Sequence, residues 1–308
     1  VNGPAPHFVG IGAPRCGTTW IFKMLRMHPE VWMPWKELHF FDSLDPDTHS
    51  GYDIRDRRFR FRAGWPAAAR RLAVSSLPGA SAVMRRWFPL RAMHAPGVAW
   101  TWRYFTGEAS LDWYRGLFRE GEAAGLACGE ITPAYCMLSP RAIEDFAAAL
   151  PGARAFLMLR NPLDWAWSDL CKRIRVAGGS PSSLTDEELI ARCAVPTGRS
   201  RADFGSNLAR WLDHFPRERL FIGFYGEIRS EPEDFFDRLC AFLGLQPFPP
   251  RLRGLLRERV NSSARGDAMP PAVRRYAAGK YRSEAEILAR RAGGGAERWL
   301  AEIEECLR

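Results

Sequence analysis

Three groups of residues in this 308-residue chain have types and spacings suited to chemistry on an anionic ligand. The first is Gly12-x4-Gly17 followed by Thr18 and Thr19, set between the apolar run Phe8, Val9, Ile11 and a helical pattern with Trp20, Ile21, Met24 and Leu25 on one face. The first N–H groups of such a helix have no internal acceptor and carry the positive end of the dipole, so an anion there is stabilised without any side chain. The spacing matches a triphosphate-binding P-loop except that Thr18 stands where that motif has lysine. The cation inside the loop is Arg15, two residues before Gly17. A glycine-bounded turn of this kind is also an ordinary strand-to-helix connection.

The second group lies in Pro34-Trp35-Lys36-Glu37-Leu38-His39-Phe40-Phe41-Asp42. An extended backbone projects Glu37 and His39 to the same side. Aromatic walls raise a carboxyl's pKa by desolvation, which suits a base that removes a proton from a hydroxyl. A plain structural role fits equally, with Glu37 paired to Lys36 or an arginine and His39 satisfying the backbone. The third group is Arg160, delivered by the buried run Ala155 to Leu159, with Ser168 eight residues further on. Asn161-Pro162 opens a helix there with proline at its favoured first position, and Ser168 falls about a turn and a half into it. A guanidinium and a hydroxyl so placed reach one phosphate, although strand-end arginines also cap or pair.

These groups require a scaffold that brings strand ends together. Ala127 to Ile131, Ala155 to Leu159 and Leu220 to Tyr225 read as further strands. Helical patterns follow or intervene at Arg141 to Leu150, Leu184 to Cys193, Phe204 to Phe215 and Glu231 to Leu243. The alternation predicts an α/β fold with a P-loop-like central parallel sheet wound by right-handed crossovers and flanked by helices. Ligands of such sheets sit beyond the strands' carboxyl ends, where Gly12, Glu130 and Arg160 would lie.

The chain is long enough for one large domain, and 46% apolar with 26% charged residues is ordinary for a globular protein. A net charge of +9 favours an anionic ligand, nucleic acid or a membrane surface, and part of the excess is solvated arginine. Seven scattered cysteines without a Cys-x-x-Cys pair argue against a disulfide framework and structural zinc, and point to reduced thiols in a cytoplasmic setting. The start of the sequence leaves no room for a signal peptide before the first strand, and no window reaches the apolar length of a membrane span. The expected organisation is one domain over 1–308 with an insertion at about 43–110. There Arg55, Arg57, Arg58, Arg60 and Arg62 alternate with Phe59 and Phe61, and Trp87, Trp100 and Trp102 follow. This mainly helical excursion could bind an acceptor, cover a site as a lid, or touch lipid head groups peripherally.

With these residues in hand, the chain resembles the sulfotransferases that use 3′-phosphoadenosine 5′-phosphosulfate (PAPS). The resemblance rests on Pro14-Arg15-Cys16-Gly17-Thr18-Thr19-Trp20, on Lys36-Glu37-Leu38-His39-Phe40-Phe41, and on Arg160-Asn161-Pro162 with Ser168. The second element is most similar to the glycan-directed, heparan-sulfate-like branch and its bacterial relatives. The resemblance covers about three quarters of the chain and misses residues 43–110. It implies that Arg15, Cys16, Gly17, Thr18, Thr19 and Trp20 hold the 5′-phosphosulfate and that Arg160 and Ser168 hold the 3′-phosphate. Glu37 is then the general base, His39 its orienting partner, and Arg15 the cation that neutralises the departing phosphate. Adenosine 3′,5′-bisphosphate (PAP) is the implied product, and no metal is required. Arg265 and Gly266 match part of the loop that closes over the nucleotide. The family's usual lysines are replaced at Arg15 and Ile131, and a helix arginine is replaced by Trp165.

The acceptor expected from the resemblance is a carbohydrate or another small hydroxylated molecule, with an amine ranked below a hydroxyl. Two other classes compete. A P-loop kinase for a small molecule is disfavoured by Thr18. A basic, non-catalytic protein binding nucleic acid or membrane through the Arg/Trp excursion ranks lower still.

Overall fold

The computed structural model describes residues 5–48, 54, 97–195, 203–258 and 268–308. Five parallel strands, β1 (Phe8–Gly12), β2 (Val31–Trp32), β3 (Ala127–Ile131), β4 (Arg154–Leu159) and β5 (Leu220–Phe224), form one sheet in the order β2-β3-β1-β4-β5. The central strand, β1, is buried throughout, as a strand covered on both faces must be. Its register pairs Phe8 with Gly129 on one side and with Arg154 on the other. Gly129 has no room for a side chain, because a Cβ there would stand 2.1 Å from the Phe8 ring.

The sheet is flanked by α1 (Thr18–Arg26), α2 (Phe41–Leu44), α3 (Val98–Thr106), α4 (Leu111–Gly116), α5 (Arg119–Ala123), α6 (Pro140–Ala149), α7 (Pro162–Val176), α8 (Asp186–Ala194), α9 (Phe204–His214), α10 (Tyr225–Ser230), α11 (Pro232–Leu243), α12 (Pro271–Ala292) and α13 (Gly295–Leu307). The helix starts carry their signals in the sequence. The Asn161 side chain accepts from the Leu163 N–H at 2.9 Å ahead of Pro162, and Thr185 and Glu188 form a capping box on α8. Gly244, at φ 76°, ends α11.

The main core gathers Trp20, Met24 and Leu25 of α1, the strand side chains, and the aromatics of α6, α9 and α11. Trp211 at its centre is fully buried and donates its indole N–H to the Tyr135 carbonyl at 3.1 Å. A second cluster, with Trp167, Leu170, Leu189 and Val273, ties α7 and α8 to α12. All seven cysteines are thiols without a disulfide partner.

The α/β fold with a central parallel sheet follows the expectation. Two details differ. The helical stretch from Asp112 to Arg119 is two helices, because the chain turns at Leu117 and Phe118, whose side chains are buried. Of the insertion at about 43–110, the described part is residues 43–48 with the end of α2, Ile54, and the segment from Gly97, which includes α3. Trp100 and Tyr104 of α3 stack 5.2 Å apart in the core, while Trp102 is exposed. The Arg55 to Arg62 run and Trp87 lie outside the described residues. No helix among the described residues is long and apolar enough to cross a membrane.

Candidate active site

The loop after β1, the segment after β2 and the start of α7 after β4 all leave the carboxyl edge of the sheet, from adjacent or nearby strands. Gly17 begins α1 at φ 88°, a conformation that glycine adopts at no steric cost. A Cβ there would also meet Ile228 at 2.7 Å and the Tyr225 ring at 3.0 Å. The helix start thus presents the N–H groups of Gly17, Thr18 and Thr19 without intrahelical acceptors.

Two residues assigned to the ligand from sequence also make contacts inside the protein. Trp20 donates its N–H to the Gly17 carbonyl at 2.9 Å, and its ring is buried 5.8 Å from that of Phe236 and 6.2 Å from that of Phe235. The Cys16 N–H reaches the Ala13 carbonyl at 3.2 Å, and burial pushes its thiol up to about 12 against the pull of Arg160 and Arg15. Both side chains are buried in the core beneath the turn.

Arg15 departs furthest from its expected place. Its guanidinium lies on Ser168, with Nη2 donating to Oγ at 2.6 Å and to the carbonyl at 2.8 Å, and Nε donating to Oγ at 3.2 Å. The cation expected beside the 5′-phosphosulfate therefore sits with the hydroxyl expected on the 3′-phosphate. Arg160 stacks on the Tyr225 ring at 4.7 Å and donates from Nη1 to the Arg15 carbonyl at 3.3 Å. Its Nε is buried without an acceptor among the described residues. One buried donor of Arg160 is therefore unsatisfied among the described residues. Trp165, which replaces a familial arginine, donates its indole N–H to the Pro14 carbonyl at 3.0 Å and braces the loop. Arg265 and Gly266 lie outside the described residues.

Glu37 and His39 meet as expected, for a different reason. Both have left-handed backbones, with φ 66° and 54°, so the two-residue alternation of an extended segment does not bring them together. His39 Nε2 stands 3.7 Å from Glu37 Oε2, while Lys36 pairs with Oε1. Burial pushes the Glu37 carboxyl up, but the His39 and Lys36 contacts outweigh it and hold Glu37 at about 2. The desolvated, raised carboxyl expected from the aromatic surroundings is therefore corrected to an ionised one with two cationic neighbours. Its side chain remains 41% exposed.

Asp42, in the first turn of α2, was not singled out in the sequence. Its side chain is fully buried, and Oδ2 lies 2.7 Å from His39 Nδ1. Burial lowers His39, but Asp42 and Glu37 outweigh this and raise it to about 9, so it is an imidazolium between two carboxylates. The signal available was Asp42's position three residues after His39, which needs a helical turn to bring them together.

Glu130 is wholly buried at the end of β3 and accepts from three hydroxyls: Tyr114 at 2.7 Å, Tyr135 at 3.0 Å and Thr132 at 2.7 Å. Burial raises its pKa against these hydrogen bonds. Among the described residues, the non-glycine positions with left-handed φ are Arg15, at 65°, Glu37 and His39. Each such conformation costs about 1–2 kcal/mol and persists only where its surroundings over-determine it.

A family model described as "Sulfotransferase family" matches residues 6–250, from before β1 through β5 and α11. The chain belongs to the sulfotransferase family. The sulfotransferase from Alicyclobacillus acidocaldarius shares the fold, at a TM-score of 0.55 with 21% identity over 96% of this chain and 98% of that one. This sulfotransferase chain is 28% identical over 116 residues to human bifunctional heparan sulfate N-deacetylase/N-sulfotransferase 2, a match that covers 33% of this chain and 13% of that enzyme. It is 28% identical over 144 residues to mouse heparan sulfate glucosamine 3-O-sulfotransferase 6, covering 45% of this chain and 41% of the mouse enzyme. The matched region is thus less than half of either curated relative. Membership in this family removes the kinase reading of the glycine loop.

Proposed function

We propose that this protein transfers a sulfuryl group from PAPS to a hydroxyl of a carbohydrate-type acceptor, with Glu37 as the general base. The observation that carries the reading is the coincidence of strain and position. The three left-handed non-glycine residues, Arg15, Glu37 and His39, are those the family resemblance assigns to chemistry, and all lie at the sheet's carboxyl edge. Similarity to heparan sulfate sulfotransferases supports the acceptor class.

The bound donor supplies the sulfuryl group on a phosphate leaving group. The N–H groups of Gly17, Thr18 and Thr19 would hold its 5′ end, and Arg160 with Ser168 its 3′-phosphate. Arg15 takes part near the leaving group only after its guanidinium parts from Ser168 Oγ. Glu37, exposed and ionised, accepts the acceptor's hydroxyl proton. Because Lys36 and His39 hold it near 2, it is a weak base that is fully available, and proximity must supply the remainder. His39, as an imidazolium, orients Glu37 and stays protonated while Asp42 faces it.

The test is a thermal shift with adenosine 3′,5′-bisphosphate, followed by transfer of labelled sulfate from PAPS to N-sulfated heparan oligosaccharides. Saturating bisphosphate should stabilise the protein through mass action. An unmoved melting temperature, or equal stabilisation by magnesium ATP, overturns the reading. The one-domain organisation, the acceptor or lid role of residues 43–110, a cytoplasmic or membrane-peripheral location and peripheral lipid contact belong to the same proposal. Deleting 55–96 and measuring acceptor and vesicle binding tests the insertion's role.

A further inference from the structure

Glu130 is wholly buried, and the hydrogen bonds to its carboxyl come from the hydroxyls of Tyr114, Thr132 and Tyr135. Its surroundings show what it does. Two of the three hydroxyls that donate to it also accept from the main chain of the base segment. Tyr135 Oη accepts from the Phe40 N–H at 2.9 Å and the Phe41 N–H at 3.5 Å, and Thr132 Oγ1 accepts from the His39 N–H at 3.4 Å. A hydroxyl has one proton, and each of these protons is directed at Glu130, leaving the lone pairs turned toward residues 39–41. The other end of the segment is tied to the same strand, because the Glu37 N–H donates to the Ile131 carbonyl at 2.9 Å. The third hydroxyl, Tyr114, holds its ring stacked on Phe40 at 4.7 Å and 14°.

We propose that Glu130 is a positioning residue for sulfuryl transfer: its carboxyl fixes the Thr132 and Tyr135 hydroxyls as acceptors for the main chain at 39–41, and so holds the left-handed turn that aims Glu37 and His39. This rests on the reading of Glu37 as the base. An apolar residue at 130 would fill the space but leave both hydroxyl protons free to turn, and the lone pairs would lose their fixed direction. Left-handed backbones at 37 and 39 would then relax toward ordinary conformations, carrying the carboxylate and the imidazole apart.

The test compares Glu130→Gln, Tyr135→Phe, Glu130→Gln/Tyr135→Phe, Tyr114→Phe and Glu37→Gln. The readouts are hydrogen exchange at the amides of 38–41, kcat per adenosine 3′,5′-bisphosphate-binding site, and donor KM, with PAPS and N-sulfated heparan oligosaccharides as substrates. Glutamine keeps one acceptor oxygen but places an amide donor against a hydroxyl. The expected result is faster exchange confined to 38–41 and kcat per site lower by about tenfold to a hundredfold, with donor KM unchanged. Tyr135→Phe should have a similar effect that does not add to Glu130→Gln, and Tyr114→Phe a smaller one. A merely structural role lowers the number of binding sites without lowering kcat per site, so unchanged kcat per site in folded Glu130→Gln overturns the proposal. Unchanged exchange at 38–41, or full additivity with Tyr135→Phe, overturns it too. If Glu130→Gln does not fold, Tyr135→Phe and Thr132→Val carry the same test at the individual acceptors. Turnover retained in Glu37→Gln removes the base reading itself, whereas an inactive Glu37→Gln beside an unaffected Glu130→Gln removes this proposal alone.

Discussion

The Arg15 guanidinium lies on Ser168, 2.6 Å from its hydroxyl and 2.8 Å from its carbonyl, across a separation of 153 residues. This contact joins the loop after β1 to the helix after β4, and so couples the two halves of the proposed donor site. Ser168→Ala removes both the hydroxyl proposed for the 3′-phosphate and one anchor of Arg15. Its affinity for adenosine 3′,5′-bisphosphate should fall by roughly tenfold or more, the usual effect of losing a hydrogen bond to a charged group. Calorimetric titration measures it, and an unchanged Kd would show that Ser168 faces Arg15 alone.

Arg160→Lys should lose selectivity rather than all binding. Lysine keeps a positive charge but lacks the planar fork and the stacking that Arg160 makes on Tyr225 at 4.7 Å. The preference for adenosine 3′,5′-bisphosphate over adenosine 5′-monophosphate should shrink about tenfold, with monophosphate affinity nearly constant. Equal losses for both nucleotides would place Arg160 away from the 3′-phosphate.

The pH dependence follows from the signs of two shifts. His39 is raised from 6.5 to about 9, so its ionic contribution is complete below about 6.5 and is lost as pH rises through about 9. Glu37 is lowered from 4.5 to about 2, so its contribution is complete above about 4.5 and is lost as pH falls through about 2. The kcat profile should accordingly fall on the basic side near 9, and His39→Gln should remove that limb. Urea midpoints at about pH 6, 8 and 10 should show the difference between wild type and His39→Gln fading at the highest value. A basic limb that survives His39→Gln assigns it to another group.

Gly17→Ala should destabilise the fold by about 1–2 kcal/mol from the left-handed backbone alone, and by more if Ile228 and Tyr225 do not yield. Denaturant unfolding gives the stability, and bisphosphate titration of the folded fraction should show weaker binding because the first N–H groups of α1 are displaced. Full stability would mean that the loop accommodates a side chain by moving.

Much of the frame is legible in the sequence because its signals are local. The strand at Ala127–Ile131 has its expected bounds, the strand ending at Leu159 begins one residue earlier than expected, and Asn161-Pro162 opens α7 as its types require. The site divides differently. The glycine loop is readable from spacing, whereas Glu37 and His39 come together through left-handed backbones that their two-residue spacing does not announce. The ionisation of Glu37 is not readable either, since it depends on which oxygen faces Lys36 and which faces His39. Aromatic neighbours suggested desolvation, and two cations reversed the outcome. The role of Glu130 is invisible for a similar reason: Tyr114 reaches it from another element, and Tyr135 does so only because the chain turns after β3. Trp20 and Cys16 matched a motif, and their side chains turn inward to pack in the core, which the motif alone does not announce.

The order of strands in the sheet also governs how the chain reaches this state. β1 emerges first, yet both of its neighbours, paired at Gly129 and Arg154, lie more than a hundred residues further along. Its central place cannot be filled until β4, which ends at Leu159, has been synthesised, and closing such long loops slows assembly. In the interval an apolar strand with two unpaired edges is exposed to association with other chains. Folding yield should therefore depend strongly on temperature, concentration and chaperone supply, even when the finished protein is stable.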